Sequence, residues 1–421
     1  MNDSSPSHPA ALQLLHRHAT ALNLGDEALC RAIENLLPED NRITELVNEP
    51  YTGWRPAAPR HNTALPEYYA TRAQFARLLK HLRTADALLV GGGDLILGYP
   101  QHYLLLHTCR ILRVPVFHVG VGVNMRGATS TALAWSRREL PHCAHYWVRD
   151  TRSAQELRRL GVHTANLSEV PDLVYSLDVE ALVAQARPFP APWATQLKPK
   201  YLVVSIREPE GNSARWGEMQ YRELAQALDE LHSQRGLQLV FLPFLSAARD
   251  ALRRHTGPSR HDEAVAQQII GYLRHPEAAL LAAGDLDTPQ ALRLLAGAQL
   301  TIGARLHSLI FSSVVHTPFI ALSYNLKTES FMREIGAPEL ALPLDQLRAT
   351  QLTQTALRLL DEHAARRAQL AELHAARRTA AFRYRELTGH LVPRSARPGA
   401  TALLRAWWGW LCFRLSLKYR G

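Results

Sequence analysis

Arg305 and His307 stand where a short apolar run, LTIG from Leu300, meets the helix-period segment that opens at Leu306 (LHSLIFSSVV). The run reads as a buried strand, and the residues after it as a helix beginning at Arg305 or Leu306. Both side chains therefore sit above a strand's carboxyl end, where unpaired backbone N–H groups and the positive helix end attract anions. Seventeen residues beyond His307, the strand-like TPFIALSY ends at Tyr324, and Asn325, Leu326 and Lys327 open another helix. Two adjacent strand-to-helix turns thus place Arg305, His307, Tyr324 and Lys327 on one rim. Guanidinium and ammonium groups there suit a phosphate, and an imidazole suits proton transfer. The same residues admit a plain structural role, Arg305 as a salt-bridge partner and His307 as a helix-start residue.

Other segments offer weaker signals. Gly91, Gly92, Gly93 and Asp94 follow the buried run ADALLVG, so the backbone there can approach a ligand closely. A tight strand-to-helix turn with Asp94 as N-cap explains the same residues equally well. The pattern is neither GxGxxG nor a Walker A loop, so no dinucleotide or ATP site is expected. Asn23, Leu24, Gly25 and Asp26 open a helical segment, with Asp26 either a substrate contact or a helix cap. The preceding LQLLHRHA is not the apolar, glycine-ended run that such a turn usually follows. Asp172, in VPDLVY, reads as a structural or hinge acid. His142, Cys143 and His145, and likewise His16 and His18, lack further ligands at zinc spacing, so no metal is expected.

These turns need strands and helices to carry them. ADALLVGG, VPVFHVGVGV and HYWVRD read as buried strands in the first half, with helical spacing in HYLLLHTCRILR and TRSAQELRRLG. The proline-rich ARPFPAPWATQLKPK, from Ala186 to Lys200, breaks the alternation and reads as a linker. YLVVSIRE, LQLVFLPFL, AQLTIGA and TPFIALSY then alternate with helices in a second series. The expected architecture is α/β: two Rossmann-like, doubly wound domains in a GT-B-like pair, residues 1–190 on the acceptor side and 196–344 on the donor side. A helical extension over 345–390 and an aromatic, basic tail over 400–421 complete it.

RLHSLIF followed by TPFIALSYNLKTESFM resembles the signature of the polysaccharide pyruvyl transferase family. The likeness extends, in the family's order, through NLGDEALCRAI, DALLVGGGDLI, PVFHVGVGVN, VRDTRSAQELRRLGV, VPDLVYSL and VVSIRE, covering roughly residues 13 to 340. The resemblance implies phosphoenolpyruvate as donor and co-substrate, no other cofactor, and a pyruvate ketal on two sugar hydroxyls as the usual product. It makes His307 the general acid/base. Arg207, at the end of YLVVSIR, and Arg305 would hold the donor anion, with Lys327 as a further phosphate contact. Tyr324, Gly92, Gly93, Asp94, Asn23 and Asp26 complete the expected substrate-binding set. Arg207 has a linker-side salt bridge as its plain alternative.

Composition limits the remaining choices. The 421 residues are 47% hydrophobic and 20% charged, with a formal charge of +10, which favours anionic partners. The positive charge is dispersed and no helix-turn-helix, RRM or KH pattern occurs, so nucleic acid is not an expected partner. Four scattered cysteines and an opening MNDSSPSHPA without an apolar core point to the cytoplasm. The tail from Thr401 carries Trp407, Trp408, Trp410 and Phe413 among Arg405, Arg414, Lys418 and Arg420. It is expected to lie on a membrane surface, the alternative being an apolar helix docked on the fold. The acceptor would then be a glycan or lipid-linked sugar. Two further functions fit the same architecture: a nucleotide-sugar glycosyltransferase, and a non-catalytic scaffold.

Overall fold

The computed structural model describes residues 11–18, 23–47, 61–66, 71–98, 100–191, 193–208, 217–250, 261–282, 284 and 286–418. Its strands fall into two sheets, all parallel. The first contains β1 (Gln13–Arg17), β2 (Arg42–Val47), β3 (His61–Pro66), β4 (Ala87–Leu97), β5 (Val116–Asn124), β6 (His145–Val148) and β7 (Leu167–Glu169). They lie in the order β3-β2-β1-β4-β5-β6-β7. The second contains β8 (Tyr201–Ser205), β9 (Gln238–Phe241), β10 (Ala279–Leu281), β11 (Leu300–Gly303), β12 (Phe319–Ser323) and β13 (Ala341–Pro343). Its order is β10-β9-β8-β11-β12-β13. This is the two-domain, GT-B-like α/β fold expected from the alternation. Covered on both faces by helices, the inner strands are mostly apolar; β8, β9, β11 and β12 have every residue buried.

Chain order reverses once in each sheet, between β1 and β4 and between β8 and β11. Such switch points open a crevice beyond the strands' carboxyl ends, where ligands bind in doubly wound folds. The sequence LQLLHRHA supplies β1, a central strand despite its polar residues. His16 and His18 are buried there, the latter 3.4 Å from the equally buried Glu45.

One expectation is corrected at the glycines. Gly91, Gly92 and Gly93 do not make a turn into a helix, and Asp94 caps nothing: β4 runs on through them to Leu97. Gly92 and Gly93 have φ of +75° and +100°, a region L side chains rarely adopt, and the ladder to β5 shifts register just afterwards. The irregularity turns Asp94 toward the crevice.

The extension follows the sequence reading: helices Ala349–Asp361 and His363–Ala381. The first lies on the second half, where Ala349 N–H donates to Glu223 (2.6 Å) and Thr353 to Glu230 (2.8 Å). The second carries the chain back to the first half, where Tyr384 Oη donates to the Pro171 carbonyl (2.7 Å). Arg394 and Arg397 then donate to the Ala85 carbonyl, and Arg397 pairs with Asp86 at 3.0 Å.

The tail helix, Ala400–Lys418, is docked on the fold along one face, as the alternative reading of the sequence has it. Ala406, Trp410 and Phe413 are buried against the first half, Trp410 stacking on Phe75 at 5.7 Å between centroids. The sequence resembles an interfacial helix because its outward face is apolar as well: Leu404 and Trp408 are 69% and 68% exposed, with Leu411 and Leu415 on the same stripe. No helix among the described residues is long and apolar enough to cross a membrane. Residues 419–421, the end of the tail, lie outside the described residues.

Candidate functional site

The two switch points face each other, and their loops supply the site. From the first half come Asn23 and Asp26, after β1, and Asp94, on β4; from the second come Arg207, after β8, and Arg305 and His307, after β11. With Gly93, Arg149, Tyr324 and Lys327, these residues line a cavity of about 200 Å³ between the halves. Every side chain expected from the sequence to act is therefore brought to one place; Gly92 stands behind them in β4.

His307 lies in the first turn of the helix Leu306–Val314, whose N-cap is Arg305. Its imidazole keeps 14% of its surface exposed, so it is neither sealed in nor free in solvent. Nε2 lies 3.9 Å from Asp172 Oδ2, longer than a hydrogen bond, and has no hydrogen-bond partner among the described residues. The other face rests on Gly25: a Cβ there would sit 2.2 Å from Nδ1. A glycine at the start of the helix Leu24–Leu36 is thus what lets the first half close over the imidazole. Burial, with Arg149 and Lys327 nearby, lowers the His307 pKa to about 4 against the opposing pull of Asp172 and Asp94. The ring is neutral at pH 7.

Asp26 behaves oppositely. Burial raises its pKa, opposed by Arg305, His18, Lys327 and Arg149. Asn23 holds it on both sides, accepting from the Asp26 N–H at 3.0 Å and donating Nδ2 to Oδ2 at 2.5 Å. An imidazole pushed down and a carboxyl pushed up bring two proton affinities toward each other, an arrangement suited to passing protons.

The cations differ in how far they are committed. Arg305 makes a fork to the buried Asp262, with Nε at 2.9 Å from Oδ2, and Asp262 also accepts the N–H groups of Phe244 and Leu245. The structural salt bridge is therefore real, although Arg305 still borders the cavity. Lys327 reaches across the crevice to Asp94 at 3.3 Å. Asp94 also receives Arg149, and these two cations hold its carboxyl well below the usual range despite burial. Arg207 donates to the Glu208 carbonyl (3.2 Å), and its guanidinium stands 6.0 Å over the Tyr324 ring.

Sequence reasoning missed Arg149, Gly25 and the position of Asp172 beside His307. Arg149 is 7% exposed and joins Asp94, Asp150 and Asp172. Its signal was present: HYWVRD ends a buried strand in a cation, as YLVVSIR does. Among the described residues no three His, Cys, Asp or Glu side chains gather as a metal site.

Comparisons with known proteins bear on the fold and the family. A curated relative, the amylovoran biosynthesis protein AmsJ of Erwinia amylovora, is 25% identical over 306 residues, 68% of this chain. The match spans 66% of that relative, just under two thirds of its length. Among solved structures, Anabaena HepE in complex with UDP superposes with a TM-score of 0.58 at 9% identity, covering 90% of this chain and 98% of that one. The UDP-GlcNAc 2-epimerase of Methanocaldococcus jannaschii gives 0.53 at 13%, covering 83% and 92%. At such identities these two show the fold alone. The model of the polysaccharide pyruvyl transferase family matches residues 23–325, which include every residue lining the cavity except Lys327. The chain belongs to the polysaccharide pyruvyl transferase family.

Proposed function

We propose that the protein transfers pyruvate from phosphoenolpyruvate to hydroxyls of a glycan precursor, forming a ketal, with the donor in the cavity between the switch points. The observation that carries this reading is the meeting of His307 with Arg149, Arg207, Arg305 and Lys327 around one small cavity. The donor's phosphate and carboxylate answer the guanidiniums. A proton added to the methylene carbon makes C2 electrophilic; a sugar hydroxyl attacks C2 and gives up its proton. The C2–O bond to phosphate then breaks, and a second hydroxyl closes the ketal, releasing its proton as inorganic phosphate departs. His307 is the acid for the carbon, and Asp26 receives a hydroxyl proton. His307 enters neutral, but a multiply charged donor beside it raises its proton affinity, so the acid is loaded as the donor binds.

Thermal-shift titration tests the donor. Stabilisation by phosphoenolpyruvate, whether or not UDP- or GDP-sugars also bind, is the expected result. A response to nucleotide sugars alone would replace this reading by a glycosyltransferase, and no response to either would favour a scaffold. Mass spectrometry of the cell's polysaccharide with and without the protein should reveal the added pyruvate.

The outward stripe of the tail helix supports a peripheral position on an anionic lipid surface. Leu404, Trp408, Leu411 and Leu415 form a strip roughly 17 Å long and about 10 Å wide. That is far below the ~800 Å² each partner of a stable dimer buries. The exposed Arg405 and Arg414 flank it, matching acidic headgroups.

A further inference from the structure

A second cavity, of about 240 Å³, continues from the first. The two share Asp94, Arg207, Tyr324 and Lys327, and the second is completed by Val123 and Asn124 at the end of β5, Arg126, Asp150, Arg152, Ser153, and the turn Asn325–Leu326. Four cations border it against two carboxylates, Asp94 and Asp150. Both carboxylates are already engaged. Asp94 serves Arg149 and Lys327, and Asp150 caps the helix Thr151–Arg159 by accepting the Ser153 N–H at 2.7 Å. Arg126 and Arg152, by contrast, have no acidic partner among the described residues. Arg126 is tied down only by its backbone, whose N–H donates to Asn124 Oδ1 at 3.2 Å. Two guanidiniums without an acidic partner thus stand together at one cavity that adjoins the first.

We propose that this cavity is the acceptor subsite and that Arg126 and Arg152 bind a diphosphate group carried by the sugar acceptor. The assignment rests on the donor reading of the adjoining cavity. One guanidinium satisfies a carboxylate by a single two-pronged contact, so a uronic acid leaves one arginine unused. Two guanidiniums, with Arg207 and Lys327 at the shared wall, match the several oxygens and multiple charge of a diphosphate. The open side lies toward solvent, where the remainder of a lipid- or nucleotide-linked acceptor has room; the shared chemistry is the diphosphate.

Isothermal titration of the full chain with sodium pyrophosphate, with and without saturating phosphoenolpyruvate, tests the assignment. Wild-type protein loaded with phosphoenolpyruvate should still bind pyrophosphate. Arg126→Gln with Arg152→Gln should weaken that binding at least ten-fold while changing phosphoenolpyruvate affinity less than about two-fold, each fold-change following from loss of charge-assisted contacts. Pyrophosphate binding that the double substitution leaves unchanged would overturn the subsite, as would tighter binding of glucuronate than of pyrophosphate, or no pyrophosphate binding to the donor-loaded protein. Failure of phosphoenolpyruvate itself to bind would remove the donor reading. Pyrophosphate titrated alone would then decide the anion site by its dependence on the two arginines. Comparing the undecaprenyl diphosphate sugar with UDP-glucose as acceptors in turnover assays separates a lipid source from a nucleotide one.

Discussion

His307 is held neutral by burial and by two neighbouring cations, and that sets its behaviour. If donor binding loads its proton, calorimetry in buffers of different ionisation enthalpy should show proton uptake near pH 6 that diminishes toward pH 8; proton release would contradict the assignment. His307→Ala should lower turnover at least about 100-fold, the usual scale of general acid/base catalysis. Its donor affinity and melting temperature should stay near wild type. Gly25→Ala tests the same imidazole from its other face. The added methyl would meet Nδ1 at 2.2 Å, so the ring must move. Turnover is expected to fall about ten-fold or more in a protein that still folds, consistent with the cost of misplacing a catalytic group. Normal kinetics in that variant would mean that the ring's position is unimportant. This scale was the most legible in the sequence. Cations and an imidazole at strand ends are visible in LTIGARLH and IALSYNLK, whereas Gly25 was not, because its value is a close approach between residues 282 positions apart.

At the scale of elements, the inner strands of β4, β5, β6, β8, β9, β11 and β12 were readable as apolar runs. β1 was not, because its register carries His16 and Arg17 into the interior, where periodicity gives no warning of them. The short edge strands β7, β10 and β13 have three residues each, too few for any pattern. Buried histidines bring a pH dependence with a definite sign. Burial lowers His118 to about 3 and His374 to about 4, so between the ordinary value of 6.5 and those pKa values the unfolded chain holds the extra protons. Stability should therefore fall as pH drops through that window, by up to about 1.4 kcal/mol per pH unit for each such histidine. Urea denaturation between pH 7 and 4 measures it, and His118→Leu should flatten the slope. Phe413→Ala, on the tail helix, should cost about 3 kcal/mol, the scale for emptying a buried aromatic site. A negligible cost would place the helix off the fold.

Across the whole molecule, Lys327 and Asp94 form an ion pair that spans the site between the two halves. Lys327→Met should weaken donor binding and make it less sensitive to salt, read by repeating the titration at two ionic strengths. The tail's outward stripe predicts sedimentation with vesicles containing phosphatidylglycerol, weaker with pure phosphatidylcholine. Leu404→Ser with Trp408→Ser should abolish it without changing the melting temperature, since neither side chain is buried. Retained sedimentation in that variant would assign the attachment elsewhere. The sequence foretold an amphipathic tail but not its two apolar faces, since one helix read alone cannot show which side a neighbour already covers.

The route of the chain after residue 381 bears on its birth as well as its shape. Synthesis delivers β1 to β7 early, yet the helix that shields Phe75 leaves the ribosome only after the entire second sheet. The first half is thus completed only after the second is made, and a nascent chain halted near residue 190 should be sticky and protease-sensitive until a peptide of residues 382–418 is supplied.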